Sequence, residues 1–149
     1  GYGQGEVMVN PVHLTSMYSM FLNQGNIIEP HLVIDNKNNN IIWKKSAVSK
    51  ESAQVVLNDL IQIVENPVGT GHEAYNSKLK IAGKTGTAEI KNSQTDTSGT
   101  ELGWFVGMTT EGDNKVLVTM MIEDVKGRGG SHYVVPKVKD VIESVSLKQ

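Results

Sequence analysis

The chain has 149 residues, of which 14 are basic and 16 acidic, and its formal net charge at pH 7 is -2. That balance excludes the strongly basic surface of a nucleic-acid-binding protein, and the absence of cysteine excludes disulfides and thiolate metal sites. The longest predominantly apolar stretch, residues 116–122, is shorter than the roughly 20 residues of a membrane-spanning helix. A chain of this length can form one domain with its own hydrophobic core.

The first part of the chain predicts a helix followed by two short strands. Asn10 and Pro11 are typical of an N-cap and a first helical position, and apolar residues then recur at helical spacing up to a stop at Gly25. Two apolar runs, residues 30–34 and residues 41–43, are separated by an asparagine-rich polar stretch that is typical of a turn. These features predict an α-helix and a small β-hairpin.

The remaining chain predicts a second helix, three strands and a final helix. Ser49 is a suitable N-cap for the second helix, whose apolar stripe ends before Pro67. Valine, isoleucine, threonine and aromatic residues are enriched in three later segments, residues 80–90, 102–108 and 116–124. A flexible glycine-rich turn at residues 127–130 precedes the last helix, which has Pro136 in its first turn. We therefore expect an α/β fold of the α+β kind, in which helices pack on an antiparallel sheet.

Residues 81–90 place a lysine, two threonines and a glycine between apolar residues, in the order Ile-Ala-Gly-Lys-Thr-Gly-Thr-Ala-Glu-Ile. Gly-Lys-Thr also ends the phosphate-binding P-loop, but that loop needs an earlier glycine where this chain has Lys78. A P-loop also opens a helix, whereas residues 85–87 continue the pattern of a strand. The segment therefore does not predict a nucleotide site.

The histidines do not predict a metal site. His72-Glu73 begins like the zinc-binding motif H-E-x-x-H, but Asn76 occupies the position of the second histidine. The other histidines are scattered along the chain, and the nucleophile-elbow motif G-x-S-x-G does not occur. We therefore expect no metal ion.

Lys-Thr-Gly on a strand is one of three elements of the serine acyl-transfer sites in penicillin-binding proteins and β-lactamases, together with S-x-x-K and S-D-N. The longer string at residues 82–89, Ala-Gly-Lys-Thr-Gly-Thr-Ala-Glu, closely resembles the penicillin-binding protein signature. Gly3-Gln4-Gly5-Glu6 before Asn10-Pro11 resembles an upstream segment of that family, and residues 103–107 resemble its next strand. The resemblance extends over essentially the whole chain and indicates class B transpeptidases, particularly the low-affinity ones of Gram-positive bacteria.

This resemblance implies a penicillin-binding protein/serine β-lactamase-like fold and the activity of a peptidoglycan D,D-transpeptidase. Such enzymes cross-link stem peptides through a serine acyl-enzyme, so peptidoglycan stems and β-lactams are the implied partners. The implied mechanism needs no metal or organic cofactor. The implied location is the extracytoplasmic face of the cell membrane, with the anchor outside these residues, and the low-affinity type implies a part in antibiotic resistance.

The resemblance also assigns roles within the strand. Lys84 supplies positive field at the catalytic site, and the hydroxyls of Thr85 and Thr87 bind the carboxylate of the substrate or of a β-lactam. Gly86 lets the substrate backbone lie close to the strand, and the Thr87 backbone N–H forms half of the oxyanion hole. Because an extended substrate adds a strand along residues 84–88, Ala88 belongs to the same binding edge.

The serine nucleophile that the family needs is not found in this sequence. No Ser-x-Asn occurs, and the only Ser-x-x-Lys begins at Ser77, directly before the strand, and ends at Lys80. In an extended strand, residues three apart point to opposite faces, so we reject Ser77 as the nucleophile. We therefore expect residues 1–149 to be the C-terminal portion of one transpeptidase domain. Its N-terminal remainder would carry the nucleophile and cover the apolar faces of the first two helices.

Three alternatives to a transpeptidase remain open from the sequence: a serine β-lactamase, a β-lactam sensor domain and a non-catalytic cell-wall scaffold. Rapid deacylation of a penicillin adduct would favour a β-lactamase. A membrane-spanning signalling segment would favour a sensor domain, and absence of the upstream serine would favour a scaffold. Glu89 and residues 91–100 either shape the rim of the substrate groove or are solvated surface. Trp104 and Tyr133 fit core packing better than they fit the lining of the groove.

Overall fold

The computed structural model describes residues 7–33, 41–91, 93, 95, 96 and 98–147. The Gly3-Gln4-Gly5 segment and the predicted turn at residues 35–40 lie outside the described residues. The helices and strands, in chain order, are α1 (Pro11–Leu22), β1 (Ile27–Ile28), β2 (Ile42–Lys44), α2 (Lys50–Glu65), β3 (Ile81–Ile90), β4 (Thr100–Thr109), β5 (Leu117–Ile122) and α3 (Val135–Ser146). Short 3₁₀ helices at His72–Ala74 and Gly130–Tyr133 precede β3 and α3.

Three strands form an antiparallel sheet in the order β3-β4-β5. Ile81 pairs with Thr109 at one end of the β3–β4 ladder and Ile90 pairs with Thr100 at the other, so the two strands are joined over their whole length. β5 pairs with the opposite edge of β4. Within the described chain β3 has β4 as its single neighbour, so β3 is an edge strand. The predicted antiparallel sheet is confirmed.

Local capping explains where the helices begin. The Asn10 side chain accepts a hydrogen bond from the Val12 N–H at 2.8 Å, and the Ser49 hydroxyl accepts one from the Ser52 N–H at 3.0 Å. Each cap satisfies a backbone donor that the first helical turn leaves without an intrahelical partner. Pro136 lies in the first turn of α3, where its missing N–H is tolerated. All three helix starts are as predicted.

Helices cover both faces of the sheet. Because successive strand residues point to opposite faces, two buried clusters result. The α3-side core consists of Val64, Ala74, Ile81, Phe105, Val125, Val134, Val135, Val138 and Ile142. The α2-side core consists of Leu57, Leu60, Ile61, Ala82, Val106 and Met108, with apolar residues of α1 packed against it. This layering confirms the predicted α+β architecture.

The Phe105 ring occupies space that three glycines leave open. The ring is fully buried, and a Cβ built on Gly83 would lie 2.4 Å from its Cζ atom. Cβ atoms on Gly71 and Gly107 would lie 3.2 Å and 3.0 Å from other atoms of the ring. Because interiors are close-packed, a larger side chain at Gly83 would have to displace the ring. The contact fixes β3 against β4 immediately before Lys84.

The predicted strand at residues 30–34 is wrong over residues 30–33, the part of it that the structure describes. The strand that pairs with β2 is β1, which comes earlier in the chain. Two serines of α1 explain the difference, because Ser16 Oγ donates to the Ile28 carbonyl oxygen and Ser19 Oγ accepts from the Ile28 N–H at 2.9 Å. These bonds hold the chain at Ile28, and residues 30–33 have left the ladder. The partner strand near residues 41–43 is confirmed at Ile42–Lys44.

Candidate functional site

The Lys-Thr-Gly-Thr segment occupies the part of β3 where the strand leaves the core. Residues 81–83 are buried, Lys84 is exposed, and residues 85–88 are exposed or half-buried. The Lys84 ammonium lies along the strand surface, where Nζ donates to the Thr85 carbonyl oxygen at 2.8 Å. A positive charge therefore lies at the edge of the sheet, in contact with Thr85.

Each of these threonines contacts a turn outside the strand. Thr85 Oγ1 lies 2.8 Å from Thr70 Oγ1, which belongs to the turn after α2. Thr87 Oγ1 accepts a hydrogen bond from the Ser131 N–H at 3.1 Å, in the 3₁₀ helix before α3. Since a hydroxyl rotates to suit its partners, these contacts orient both threonine side chains at the strand surface.

The strand geometry divides the segment between two faces. Lys84 and Gly86 share the face of Ala82, which belongs to the α2-side core, and Thr85 and Thr87 share the opposite face. Together with Ala88 they are contiguous along an edge strand. Such an edge can bind an extended peptide through backbone hydrogen bonds, and a nearby cation and hydroxyls suit a carboxylate.

Ser77 lies in a turn and not on a helix. The Asn76 side chain accepts hydrogen bonds from two backbone N–H groups at 2.7 and 3.1 Å, which makes an Asx turn around Ser77. The lysine that completes the Ser-x-x-Lys match, Lys80, forms an ion pair with Glu111 at 3.4 Å. The geometry therefore lacks the helical turn that would bring a serine and a lysine together on one face.

The phosphate and metal hypotheses find no support in the geometry. β3 continues through Gly-Lys-Thr to Ile90, so no helix N-terminus follows the lysine. His72 Nδ1 is hydrogen-bonded with the Val64 carbonyl oxygen at 2.8 Å. The described part of the chain contains no group of three histidine or carboxylate side chains placed to hold a metal ion. In that same part, none of the helices combines the length and apolar character needed to cross a membrane.

Sequence reasoning missed the residues that contact the two threonines. Thr70 lies between two glycines in a segment that has no signature of its own, and Ser131 follows a turn that we expected only to be flexible. Gly130 has a φ of 61°, and a Cβ there would lie 3.1 Å from Thr87 Oγ1. Glycine thus permits both the backbone conformation and the close approach. The flanking glycines were the one available signal that these turns pack closely.

Aromatic and charged side chains lie around the segment. Tyr133 is half-buried against the α3-side core, as predicted, and the Lys137 ammonium lies 3.9 Å from the centre of its ring. Trp104 is half-buried and is paired directly with Gly86 across the sheet. Glu89 forms an ion pair with a lysine just beyond the outer end of β3. A role of Glu89 and residues 91–100 in the groove rim stays a prediction.

A family model described as the penicillin binding protein transpeptidase domain matches residues 1–143. The chain belongs to the penicillin-binding protein transpeptidase domain family. Penicillin-binding protein 3 of Bacillus subtilis is 42% identical to this chain over 144 residues, which are 97% of the chain and 21% of that protein. Peptidoglycan D,D-transpeptidase MrdA of Haemophilus influenzae is 24% identical over 161 residues, which are 96% of the chain and 24% of that protein. The predicted resemblance to class B penicillin-binding proteins is confirmed.

Solved penicillin-binding protein structures have the same fold as this chain. The transpeptidase domain of Burkholderia pseudomallei penicillin-binding protein 3 has a TM-score of 0.73 and 21% identity, over 92% of this chain and 43% of that one. PBPA from Mycobacterium tuberculosis has a TM-score of 0.69 and 22% identity, over 95% of this chain and 33% of that one. The predicted fold is confirmed. The chain spans about a fifth to a quarter of the length of the two curated relatives.

Proposed function

We propose that this chain is part of a peptidoglycan D,D-transpeptidase that cross-links stem peptides through a serine acyl-enzyme. One observation carries the proposal: the Lys-Thr-Gly-Thr signature of residues 84–87 lies on the exposed part of an edge strand, in a chain of the transpeptidase domain family. Relatives named penicillin-binding protein and peptidoglycan D,D-transpeptidase support the same activity.

The substrate in this proposal is a stem peptide ending in D-Ala-D-Ala, bound as an extra strand along residues 84–88. Lys84 supplies positive charge, and the Thr85 and Thr87 side chains bind the terminal carboxylate, while the Thr87 N–H forms half of the oxyanion hole. The edge position of β3 supports this, because a strand edge binds extended peptides through its backbone. An oxyanion-hole donor contributes about 3 kcal/mol to transition-state stabilisation. A β-lactam carries an equivalent carboxylate and would occupy the same edge.

The proposed reaction has two acyl-transfer steps. A serine oxygen on the remainder of the domain attacks the carbonyl carbon of the penultimate D-alanine, the peptide bond to the terminal D-alanine breaks, and that D-alanine leaves with the serine proton on its amine. An amine of a neighbouring stem then attacks the ester, forms the new peptide bond and returns a proton to the serine oxygen. The Lys84 charge stabilises the negative charge that develops in each step. The steps balance without a metal or organic cofactor.

The serine belongs, in this proposal, to an N-terminal remainder of the same domain, of which this chain is the C-terminal portion. The apolar faces of α1 and α2, which we expected that remainder to cover, pack instead on the sheet of this chain, so that expectation is wrong. Other apolar side chains on the described surface are exposed and are available to such a partner. Val7, Met8, Leu32 and Val68 are 88%, 95%, 97% and 88% exposed. Val7 and Met8 lie within four residues of the start of α1, so a partner that packs beside α1 would bury them.

The proposal includes a location and a pharmacological property. The enzyme would act at the extracytoplasmic face of the cell membrane, where peptidoglycan is assembled, with its anchor outside these residues. The resemblance to low-affinity Gram-positive enzymes adds slow acylation by β-lactams, and hence a contribution to antibiotic resistance. Neither the site nor the relatives' names favour the β-lactamase, sensor or scaffold alternatives.

Acylation by a fluorescent penicillin tests the proposal. The full-length protein that contains this chain should gain the mass of one penicillin, and peptide mapping should locate the adduct on a serine outside residues 1–149. Lys84→Met should slow acylation about a hundredfold, because it removes a charge that acts in the transition state. Lys80→Met, a matched loss of an exposed lysine directly before the same strand, should leave the rate unchanged.

Other outcomes would contradict specific parts of the proposal. An adduct on Ser77 would overturn the assignment of the nucleophile to the remainder of the domain. Hydrolysis of the adduct within seconds would favour a β-lactamase. The absence of any adduct on the full-length protein would overturn the transpeptidase itself.

A further inference from the structure

We propose that Thr70 is a positioning residue for the carboxylate-binding hydroxyl of Thr85, an inference that rests on the proposed function. Thr70 lies outside the Lys-Thr-Gly-Thr signature, in the turn between α2 and β3. Its Oγ1 is 2.8 Å from Thr85 Oγ1, a usual distance for an O–H···O bond. In the part of the chain that the structure describes, each of these hydroxyls has the other as its hydrogen-bond partner.

The turn that carries Thr70 is closely attached to the end of α2. The Gly69 N–H donates to the Asn66 carbonyl oxygen at 2.8 Å, and the Gly71 N–H donates to the Ile63 carbonyl oxygen at 3.1 Å. A Cβ on Gly69 would lie 2.2 Å from that same Ile63 oxygen, so only glycine permits this approach. The backbone on both sides of Thr70 is therefore fixed, and the hydroxyl is held at a constant place beside β3.

The number of protons on the two hydroxyls decides which threonine donates and which accepts in the Thr70–Thr85 hydrogen bond. A threonine hydroxyl has one proton to donate and two lone pairs to accept with. When Thr85 donates its proton to a carboxylate, the bond between the two threonines persists only if Thr70 donates to the Thr85 oxygen. Thr70 thereby holds the Thr85 proton towards the ligand, and by donating to Thr85 it makes that O–H a stronger donor.

The positive charge of Lys84 favours an anionic ligand at the Thr70–Thr85 pair. Although Lys84 and Thr85 start on opposite faces of the strand, Lys84 Nζ donates to the backbone carbonyl oxygen of Thr85 at 2.8 Å, so the ammonium group reaches the residue that carries the oriented hydroxyl. An ammonium group has three protons to donate, and charge-assisted hydrogen bonds are about twice as strong as neutral ones. The combination of Lys84, Thr85 and Thr70 therefore favours a carboxylate over an uncharged ester.

The test compares acylation of the full-length protein by benzylpenicillin and by its methyl ester, which lacks the carboxylate. Thr70→Val removes the hydroxyl with little change in volume, and it should lower the acylation rate constant for benzylpenicillin about tenfold and that for the ester less than about twofold. Thr70→Ser keeps the hydroxyl and should retain the wild-type ratio of the two rates. Thr15→Val, which removes a hydroxyl that donates to the Pro11 carbonyl oxygen in α1, is the matched control and should change neither rate.

A double variant separates indirect from direct action. Adding Thr70→Val to Thr85→Val should lower the benzylpenicillin rate no further, because Thr70 acts through Thr85. Equal losses for acid and ester, additive losses in the double variant, or an unchanged benzylpenicillin rate in Thr70→Val would each overturn the inference. The transpeptidase proposal would survive all three outcomes, whereas failure of the wild-type protein to be acylated would overturn both.

Discussion

The two halves of β3 form one continuous strand but have different surroundings. In the first half, Ile81 and Ala82 are 1% and 0% exposed, and Gly83 lies against the Phe105 ring. From Lys84 onwards the residues are exposed or half-buried. One strand therefore joins the core of the sheet directly to the candidate site. The position of the site is set by core packing at residues that would never touch a ligand.

The elements that cover each half account for this difference. Ile81 belongs to the α3-side core and Ala82 to the α2-side core, so the first half is buried on both faces. In the second half, Thr70 and Ser131 make the contacts to the signature threonines, and both residues lie in short turns. Turns orient these side chains without covering the outer edge of the strand. The strand is thus fixed at one end and accessible at the other.

Gly83→Ala should destabilise the buried half of β3. The added methyl group would lie 2.4 Å from Phe105 Cζ and 2.8 Å from the Val106 carbonyl oxygen, and a backbone oxygen cannot move aside without disturbing the sheet. We expect a destabilisation of about 3 kcal/mol. The midpoint of thermal unfolding of the full-length protein measures it. An unchanged midpoint would show that the contact between β3 and the Phe105 ring is not tight.

Gly86→Ala, the same substitution in the exposed half, should separate stability from activity. In the described structure a Cβ at Gly86 would meet Trp104 Cβ at 3.5 Å, an ordinary contact, and alanine is about 0.5 to 1 kcal/mol better than glycine in a strand. The unfolding midpoint should therefore hold or rise slightly. Acylation by benzylpenicillin should fall about tenfold, because the methyl group crowds the ligand backbone. A loss of stability as large as that of Gly83→Ala would contradict the division of the strand.

The sequence is informative about features that depend on neighbouring residues. Asn10 and Ser49 are recognisable as caps because a cap bonds to the helical turn that follows it. The misplaced strand at residues 30–34 shows the opposite case. Ile28 is held by Ser16 and by a second serine of α1, and no residue beside Ile28 reveals those contacts.

Prediction from the sequence is limited in the same way at the candidate site. Residues 84–88 carry a signature that is legible in the sequence itself, and the structure adds their edge position. Thr70 and Ser131 contact the signature from 15 and 44 residues away in the chain. Their polar groups matter only after β3 has been packed between the two turns, which is a result of tertiary structure. Propensity and periodicity describe single elements and cannot report such pairings.

The ionisation of Tyr18 gives a third test, with a smaller expected effect. It measures how well α1 covers the buried half of β3. Tyr18, on α1, packs against the α2-side core that contains Ala82. Burial raises the pKa of the Tyr18 phenol above the usual tyrosine value of about 10. In the unfolded chain the phenol loses its proton at a lower pH than in the folded protein, so the folded state holds more protons above that pH. The stabilisation is therefore complete below about pH 10 and is lost as the pH rises through the folded pKa.

Tyr18→Phe keeps the aromatic ring and removes the titrating proton. The variant should match the wild-type unfolding midpoint near neutral pH, and its midpoint should fall less steeply between about pH 9 and pH 11. All other side chains are common to both proteins, so their contributions cancel in the difference between the two curves. Parallel curves would mean that water reaches the phenol. In that case α1 would not exclude water from the face of β3 that contains Ala82. Only α2 would then cover that face in the buried half of the strand.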